Sequence, residues 1–247
     1  MAAPVLIDDV PVEAQDASGG WRISEFRLPL RGRGFCVFHG RFRPGSRHSI
    51  HRHLACDELC VYLSGRGLVG TGDDRYAVSA GDARLIPAAV PHYFHNAGGE
   101  GVAEVLGLYL GAESVDATGY ELIGEIGAAD LERSERADGA VEYPWAPRGA
   151  GLLVEAPGWT RAEYRVLVST DAASCWSAVV GPGGGYTGEP ERESVFFVVR
   201  GSCLADGAIA GPGQVWHAPA GALVSVRNTS ETDDLELYGF AFDGRDA

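Results

Sequence analysis

Four side chains able to do chemistry stand at fixed spacings in this chain: His51, His53, Glu58 and, further on, His92. Three imidazoles and a carboxylate are a donor set that a divalent transition metal wants as a partial ligand shell. His51 and His53 are two residues apart, so on a β-strand both rings leave the same face and can converge on one ion. Leu59 to Leu63 is an apolar run that opens at Glu58 and stops at Ser64-Gly65, which sets the carboxylate at the start of the next strand. His92 follows Pro91 and precedes Tyr93-Phe94, as a further strand does after a turn. Burying four ionisable side chains face to face is costly unless a metal or a hydrogen-bond network satisfies them.

The elements that must position these groups are strands joined by tight turns, because Gly45, Gly65, Gly81, Pro87 and Asn96 punctuate the pattern. Gly45 to Gly65 reads G(X)5HXH(X)4E(X)6G, and Gly81 to Asn96 reads G(X)5PXG(X)2H(X)3N, with Ala89 standing where the middle glycine belongs. The two stretches closely resemble the two signature motifs of the cupin superfamily. That resemblance implies an all-β double-stranded β-helix, or jelly roll, with one divalent ion (Fe, Mn, Ni or Zn) held by His51, His53, Glu58 and His92.

Composition bounds the rest. A chain of 247 residues holds one large or two small domains, and 35 glycines suit a turn-rich all-β protein. A net charge of −14 argues against nucleic acid and anionic membrane surfaces as partners and leaves a small-molecule substrate. The basic residues are twenty arginines and no lysine, so Schiff-base chemistry through a protein amine is excluded. An anionic substrate group must then be held by arginine or by the metal. Five scattered cysteines, Cys36, Cys56, Cys60, Cys175 and Cys203, do not form a secreted disulfide pattern, and the CxxxC spacing of Cys56 and Cys60 is a weaker metal signal than the histidines. MAAPVLIDDV lacks a basic stretch followed by an apolar core, and no run approaches membrane-spanning length, so a soluble cytoplasmic protein is expected. A homodimer is the candidate assembly.

The chain also repeats itself. Trp21, Glu25, Phe26 and Arg27 recur as Trp159, Glu163, Tyr164 and Arg165; Gly45 and Gly65 recur as Gly181 and Gly201; Gly81, Pro87, Ala89 and Asn96 recur as Gly213, Pro219, Gly221 and Asn228. Two tandem barrels are implied, at 1–125 and 151–247. Between them a stretch from about Gly119 to Gly151 differs in character: its first half, ELIGEIGAADLERSERA, has the charge and apolar spacing of a short helix, 140–151 is rich in proline and glycine, and the linker is placed at 126–150. Against His51, His53, Glu58 and His92 the second copy aligns Thr187, Glu189, Ser194 and Val224, which cannot build such a metal site, and Glu189, Glu191 and Glu193 read as a solvated rim. The resemblance is therefore to a bicupin with metal in the N-terminal barrel alone, the second barrel serving as scaffold.

Further candidates flank the motifs. Cys60 and Tyr62 share the parity of Glu58 and line the barrel interior if that strand is regular, and Phe94 shares the parity of His92. His39, His48 and His95 are candidate proton shuttles or supports for the ligands, and His217 reads as structural. Among Arg41, Arg43 and Arg84, one facing inward would clamp a carboxylate, but a one-residue slip of register swaps the faces. Glu58, Tyr62 and Arg41 are the candidate catalytic residues, Glu58 doubling as proton acceptor.

Four protein ligands leave an octahedral ion two open positions. With a redox-active ion the chemistry is oxygenation of a phenolic, enol, keto-acid or hydroxy-acid substrate, and an oxygenase is the first reading. Isomerase, cyclase or lyase chemistry on a non-redox ion is the second, and a non-catalytic small-molecule binder the third.

Overall fold

The computed structural model describes residues 3–13, 25–96, 101–131, 143–149 and 151–244. Among these residues the regular structure is β-strand, with short 3-10 turns and no α-helix. The chain divides into two compact units, Val12–Gly149 and Met1–Pro11 with Ala150–Gly244. In chain order the strands are β1 Val5–Leu6, β2 Glu25–Gly32, β3 Phe35–Phe42, β4 Arg47–His53, β5 Asp57–Ser64, β6 Arg66–Thr71 and β7 Asp74–Ser79. Then come β8 Ala83–Ile86, β9 His92–His95, β10 Ala103–Leu110, β11 Tyr120–Gly124, β12 Trp145–Ala146, β13 Leu152–Val154 and β14 Trp159–Ser169. The last are β15 Ala173–Gly188, β16 Glu193–Arg200, β17 Cys203–Ala205, β18 Ala208–Ala210, β19 Gln214–Ala218, β20 Val224–Asn228 and β21 Leu235–Phe242.

In the Val12–Gly149 unit, β12-β8-β5-β10-β3-β2 form a six-stranded sheet and β11-β4-β9-β6-β7 a five-stranded one. Apolar side chains from both sheets, among them Phe38, Cys60, Tyr62, Val69 and Phe94, pack as one core, giving the jelly-roll arrangement. Turns fix the frame. Gly65, at φ +74°, joins β5 to β6, and a Cβ there would lie 2.6 Å from the Cα of Ala103, so neither the angle nor the space admits a side chain. Buried Asn96 donates from Nδ2 to the carbonyls of Phe42 at 3.0 Å and Gly101 at 3.2 Å, which ties the end of β9 to the end of β3 and the approach to β10.

The other unit is a ten-stranded antiparallel network of β1 and β13 to β21. Its pairings repeat those of the first: β16 with β21 and β19, β15 with β21 and β20, and β17 with β20 and β18. These match β5 with β10 and β8, β3 with β10, β4 with β9, and β6 with β9 and β7. The 16-residue β15 covers in one strand what β3 and β4 cover in two. Asn228 repeats the Asn96 clamp, donating to the carbonyls of Val180 and Asp233, each at 2.9 Å.

Three sequence expectations are corrected. The start of the expected helix is the strand β11, paired with β4 as Tyr120↔His53 and Glu121↔Arg52, because the ladder and the 2.7 Å Arg52–Glu121 ion pair favour the extended form; residues 132–142 lie outside the described residues. The described part of the expected linker belongs to the first unit: Ile126 is buried, Trp145 pairs with Arg84, and its ring lies 4.8 Å from Tyr76. The N-terminal residues belong to the second unit, where β1 pairs with β19 as Val5↔Val215. Trp21, used in aligning the repeats, lies outside the described residues.

Candidate metal centre

His51 and His53 leave β4 on one face, Glu58 opens β5, and His92 opens β9. β4 pairs directly with β9, and a β-bulge between His48 and His51 sets His51 opposite His92. A bulge re-aims the side chains that follow it, which is how β4 turns its histidine pair toward β9. All four side chains are buried, and one ligand atom from each lies within 4.8 Å of the others. Among the described residues no second group of three or more such side chains converges.

The electrostatics suit a cation. The Nε2 atoms of His53 and His92 face Glu58 Oε2 at 3.2 and 3.4 Å. Burial holds the imidazoles of His51 and His92 below their ordinary range, so both are neutral near pH 7. Burial opposes ionisation of Glu58, but the adjoining His92 and His53 outweigh it and its carboxyl lies well below the usual range. Nδ1 of His51 lies 2.8 Å from the Ser49 carbonyl and Nδ1 of His92 lies 2.9 Å from that of Val90. Each Nδ1–H donating there leaves Nε2 with a free lone pair directed inward. The Nε2 atoms of His51 and His92 and both ring nitrogens of His53 are buried without a hydrogen-bond partner. Buried polar atoms rarely go unsatisfied. A divalent ion coordinated by these nitrogens and Glu58 would satisfy His51 and His92 fully and one nitrogen of His53, so the residues fit such an ion.

A cavity of about 30 Å³ is lined by His51, Glu58 and His92 of the cluster. Tyr62 lines it, as the parity argument required, and so does Cys60, whose Sγ–H donates to Glu58 Oε1 at 3.0 Å. Arg41 does not. Its neighbours Gly40 and Phe42 line the cavity, so strand alternation turns Arg41 outward, where it pairs with Glu104 at 2.8 Å and Glu25 at 3.4 Å. The inward arginine is Arg84, fully buried on β8 opposite Cys60, its Nη1 donating to Thr71 Oγ1 at 3.0 Å. Arg43 is not among the lining residues.

Of the flanking histidines, His48 belongs to the site: its ring stacks on His51 at 3.7 Å and lines the cavity, and burial pushes its pKa down to about 3. His39 lies 4.0 Å from Glu104 on the outer side, and His95 is half-buried at the far end of β9. His217 pairs with Glu193, in keeping with a structural role. Sequence reasoning missed Tyr109, 4.8 Å from His53 by ring centroid, and Tyr120, 5.1 Å from His51. Inward parity on β10 would have marked Tyr109; Tyr120 carried no signal, because it stands just before the segment that read as helix and no strand was expected there.

The structure also shifts the repeat alignment by one residue. Val224 faces Gly188 across β15 and β20 where His92 faces His51, and Gly221 bonds to the Pro190 carbonyl as Ala89 bonds to that of His53. The counterparts of His51 and His53 are thus Gly188 and Pro190 rather than Thr187 and Glu189. The turn that follows is the cause: four residues separate His53 from Glu58, and three separate their counterparts Pro190 and Ser194.

Comparison with known proteins agrees with this architecture. Residues 38–109 match the family model of the cupin domain. A curated relative, an uncharacterized protein of Methanocaldococcus jannaschii, is 35% identical over 54 residues, which cover 22% of this chain and 43% of the relative. The match thus spans less than half of that relative's length. Among solved structures, oxalate decarboxylase of Bacillus subtilis at pH 4.6 aligns with a TM-score of 0.69 at 16% identity, covering 100% of this chain and 77% of that one. A structure of the same enzyme from work on its Mn(II) centres gives 0.69 at 16% identity, over 100% and 78%. At this identity the likeness establishes the fold. The class so defined is an all-β cupin fold with a buried three-histidine, one-glutamate cluster that could hold a metal.

Proposed function

We propose that the chain is a bicupin whose first barrel holds one divalent transition metal at His51, His53, Glu58 and His92 and cleaves a small carboxylate. The second barrel, on this reading, holds no metal. The observation that carries the proposal is the set of buried groups around one cavity: three inward imidazoles, the ionised Glu58, and two donors without partners, Tyr62 Oη and Arg84 Nε. When bound, the ion supplies Lewis acidity and, as Fe or Mn, one-electron chemistry. Arg84 offers its guanidinium to a substrate carboxylate, which no other cation lining the cavity could do except the metal. Tyr62, whose hydroxyl burial keeps protonated, donates a hydrogen bond to a substrate oxygen. Glu58, low in pKa and oriented by Cys60, accepts a proton. Phe26, Phe38, Phe42 and Phe94 keep water out.

A cavity of about 150 Å³ takes up benzene, whereas this one is about 30 Å³, so size argues against a phenol, and the preference for a small keto acid, hydroxy acid or dicarboxylate rests on the buried Arg84. Carbon–carbon cleavage with release of carbon dioxide is the reaction favoured, and the oxalate decarboxylase fold of the structural neighbours supports it. Oxygenation of the same small acid is the second reading: a redox-active ion, if held by His51, His53, Glu58 and His92, would supply the one-electron chemistry it needs. Manganese is the first candidate ion, since Mn(II) centres occur in that neighbour.

The test is metal analysis of anaerobically purified protein followed by assays on two- to four-carbon acids for carbon dioxide release and oxygen uptake. Release of carbon dioxide without net oxygen consumption supports the lyase, and stoichiometric oxygen uptake selects the oxygenase. Protein that carries no metal after incubation with Mn, Fe, Ni and Zn overturns both.

A further inference from the structure

The second unit has a pocket of its own, of about 420 Å³, in the size range of small-molecule sites. Trp159, Tyr164, Trp176, Tyr186 and Phe196 line it. Their rings form a continuous wall: Trp159 lies 5.6 Å from Tyr164, 5.8 Å from Trp176 and 5.2 Å from Tyr186, while Tyr164 stacks on Trp176 at 5.4 Å. Glu189 and Glu191 stand exposed at the mouth, and among the described residues neither is in an ion pair. The cation lining the pocket, Arg192, is occupied by Asp243 at 3.0 Å and by the Asp171 carbonyl at 2.6 Å. Trp176 and Phe196 are almost fully buried, while Trp159, Tyr164 and Tyr186 keep part of their surface open.

The pocket occupies the place in its unit that the metal cluster has in the first. Ser194, the counterpart of Glu58, lines it, and so does Ala241, the counterpart of Tyr109, since Glu58 pairs with Tyr109 and Ser194 with Ala241. Aromatic faces carry negative quadrupole potential, and an organic cation against them gains from about 0.5 to 2 kcal/mol per contact according to how far it is desolvated. An anion would meet two carboxylates and no available positive charge. A bare metal ion would meet too few donors, and an alkylammonium matches both the wall and the charge.

We propose that the second unit binds an organic cation of the quaternary or alkylated ammonium class against Trp159, Tyr164, Trp176 and Tyr186, with Glu189 and Glu191 supplying the field at the mouth. The site is independent of the chemistry in the first unit, because it shares no residue with the metal cluster. The second barrel is then a ligand-binding module and more than a scaffold.

Calorimetric titration of the full-length protein with choline, and with its uncharged isostere 3,3-dimethylbutan-1-ol, tests the proposal. Choline is expected to bind at about millimolar Kd or tighter, with the isostere weaker by about tenfold or more. Trp159→Leu keeps an apolar side chain and removes the π face, so it should weaken choline by about tenfold and leave the isostere unchanged. The Glu189→Gln, Glu191→Gln double variant changes exposed positions and should fold normally, so its expected weakening of choline alone reads the charge apart from packing. Equal binding of choline and the isostere, or no choline binding by folded protein, overturns the proposal.

Discussion

Where the first unit sets Tyr109 into its barrel, 4.6 Å from Phe38 and 4.8 Å from His53, the second sets Ala241. Where the first projects His51 and His53, the second has Gly188 and Pro190, and where the first buries Arg84 opposite Cys60, the second lays Trp216 parallel to Phe196 at 5.2 Å. One ladder of strand pairings therefore encloses about 30 Å³ beside a metal-type cluster in one case and opens onto about 420 Å³ of aromatic wall in the other. Glycine turns and asparagine clamps set the frame, and the few inward positions set the chemistry. A frame held by backbone hydrogen bonds tolerates exchange of its contents, so the two sites could diverge without loss of fold.

The strongest break in the comparison is removal of a ligand. Replacing His51 or His92 by alanine should abolish bound metal and activity while circular dichroism stays that of a folded β protein, since the rest of the core is intact; elemental analysis of the purified variants reads it. Metal affinity should fall by more than the ten- to hundredfold, roughly, typical of losing a supporting partner. Glu58→Gln keeps the shape and loses the charge, so metal should weaken and turnover fall further. In the second unit Val224→His should add no metal, because Gly188 and Pro190 offer no side-chain ligand. A ratio near two metals per chain in that variant, measured by the same analysis, would refute the assignment.

Next in size is Arg84→Met, which keeps bulk and removes the buried cation. About 2 kcal/mol or more of anion binding should be lost, a rise of about thirtyfold in KM for a carboxylate substrate. Arg41→Met, on the outward face, should change KM little, and steady-state kinetics of the two variants side by side separate the inward arginine from the outward one.

The two units should also differ in their response to acid. His48, His51 and His92 are held below the ordinary histidine value of 6.5, His48 to about 3, chiefly by burial. A histidine with a depressed folded pKa binds protons more readily when unfolded, so its stabilisation is present above pH 6.5 and is lost as pH falls toward the folded value. Glu58, also depressed, loses its contribution in the same direction at lower pH. In metal-free protein, amide protection factors, which correct for the slower intrinsic exchange at lower pH, should therefore fall in β4 and β9 between pH 6.5 and 5 while those of β15 and β20 change less. An equal loss of protection across both units would contradict this.

The smallest effect concerns one turn in each unit. Ala89 holds φ +65° and its counterpart Gly221 +71°, a region costly for any residue with a Cβ. Ala89→Gly should raise stability by about 0.5 to 1 kcal/mol, and Gly221→Ala, whose Cβ would meet no atom within 4 Å, should lower it by a similar amount. Thermal melting of both variants shows whether the backbone angle alone accounts for the exchange.

The spacing of His51, His53, Glu58 and His92 made the cluster legible in the sequence, because alternation along a strand and glycines at the turns leave little freedom in where such residues point. The all-β class was legible for the same reason. Which arginine faces inward was not, since parity along a strand says nothing until its register is known, and only the pairing of β8 with β5 puts Arg84 beside Cys60 and leaves Arg41 outside. Nor was the bulge between His48 and His51, or the turn one residue shorter in the second copy that displaced the repeat alignment, since neither carries a sequence signature. Residues 121–124 open the stretch of helix-like spacing and became a strand because the edge of β4 offered a ladder that an isolated helix could not match. Local spacing determined which residues could act together. Long-range pairing decided which of them face the site, and how much room lies between them.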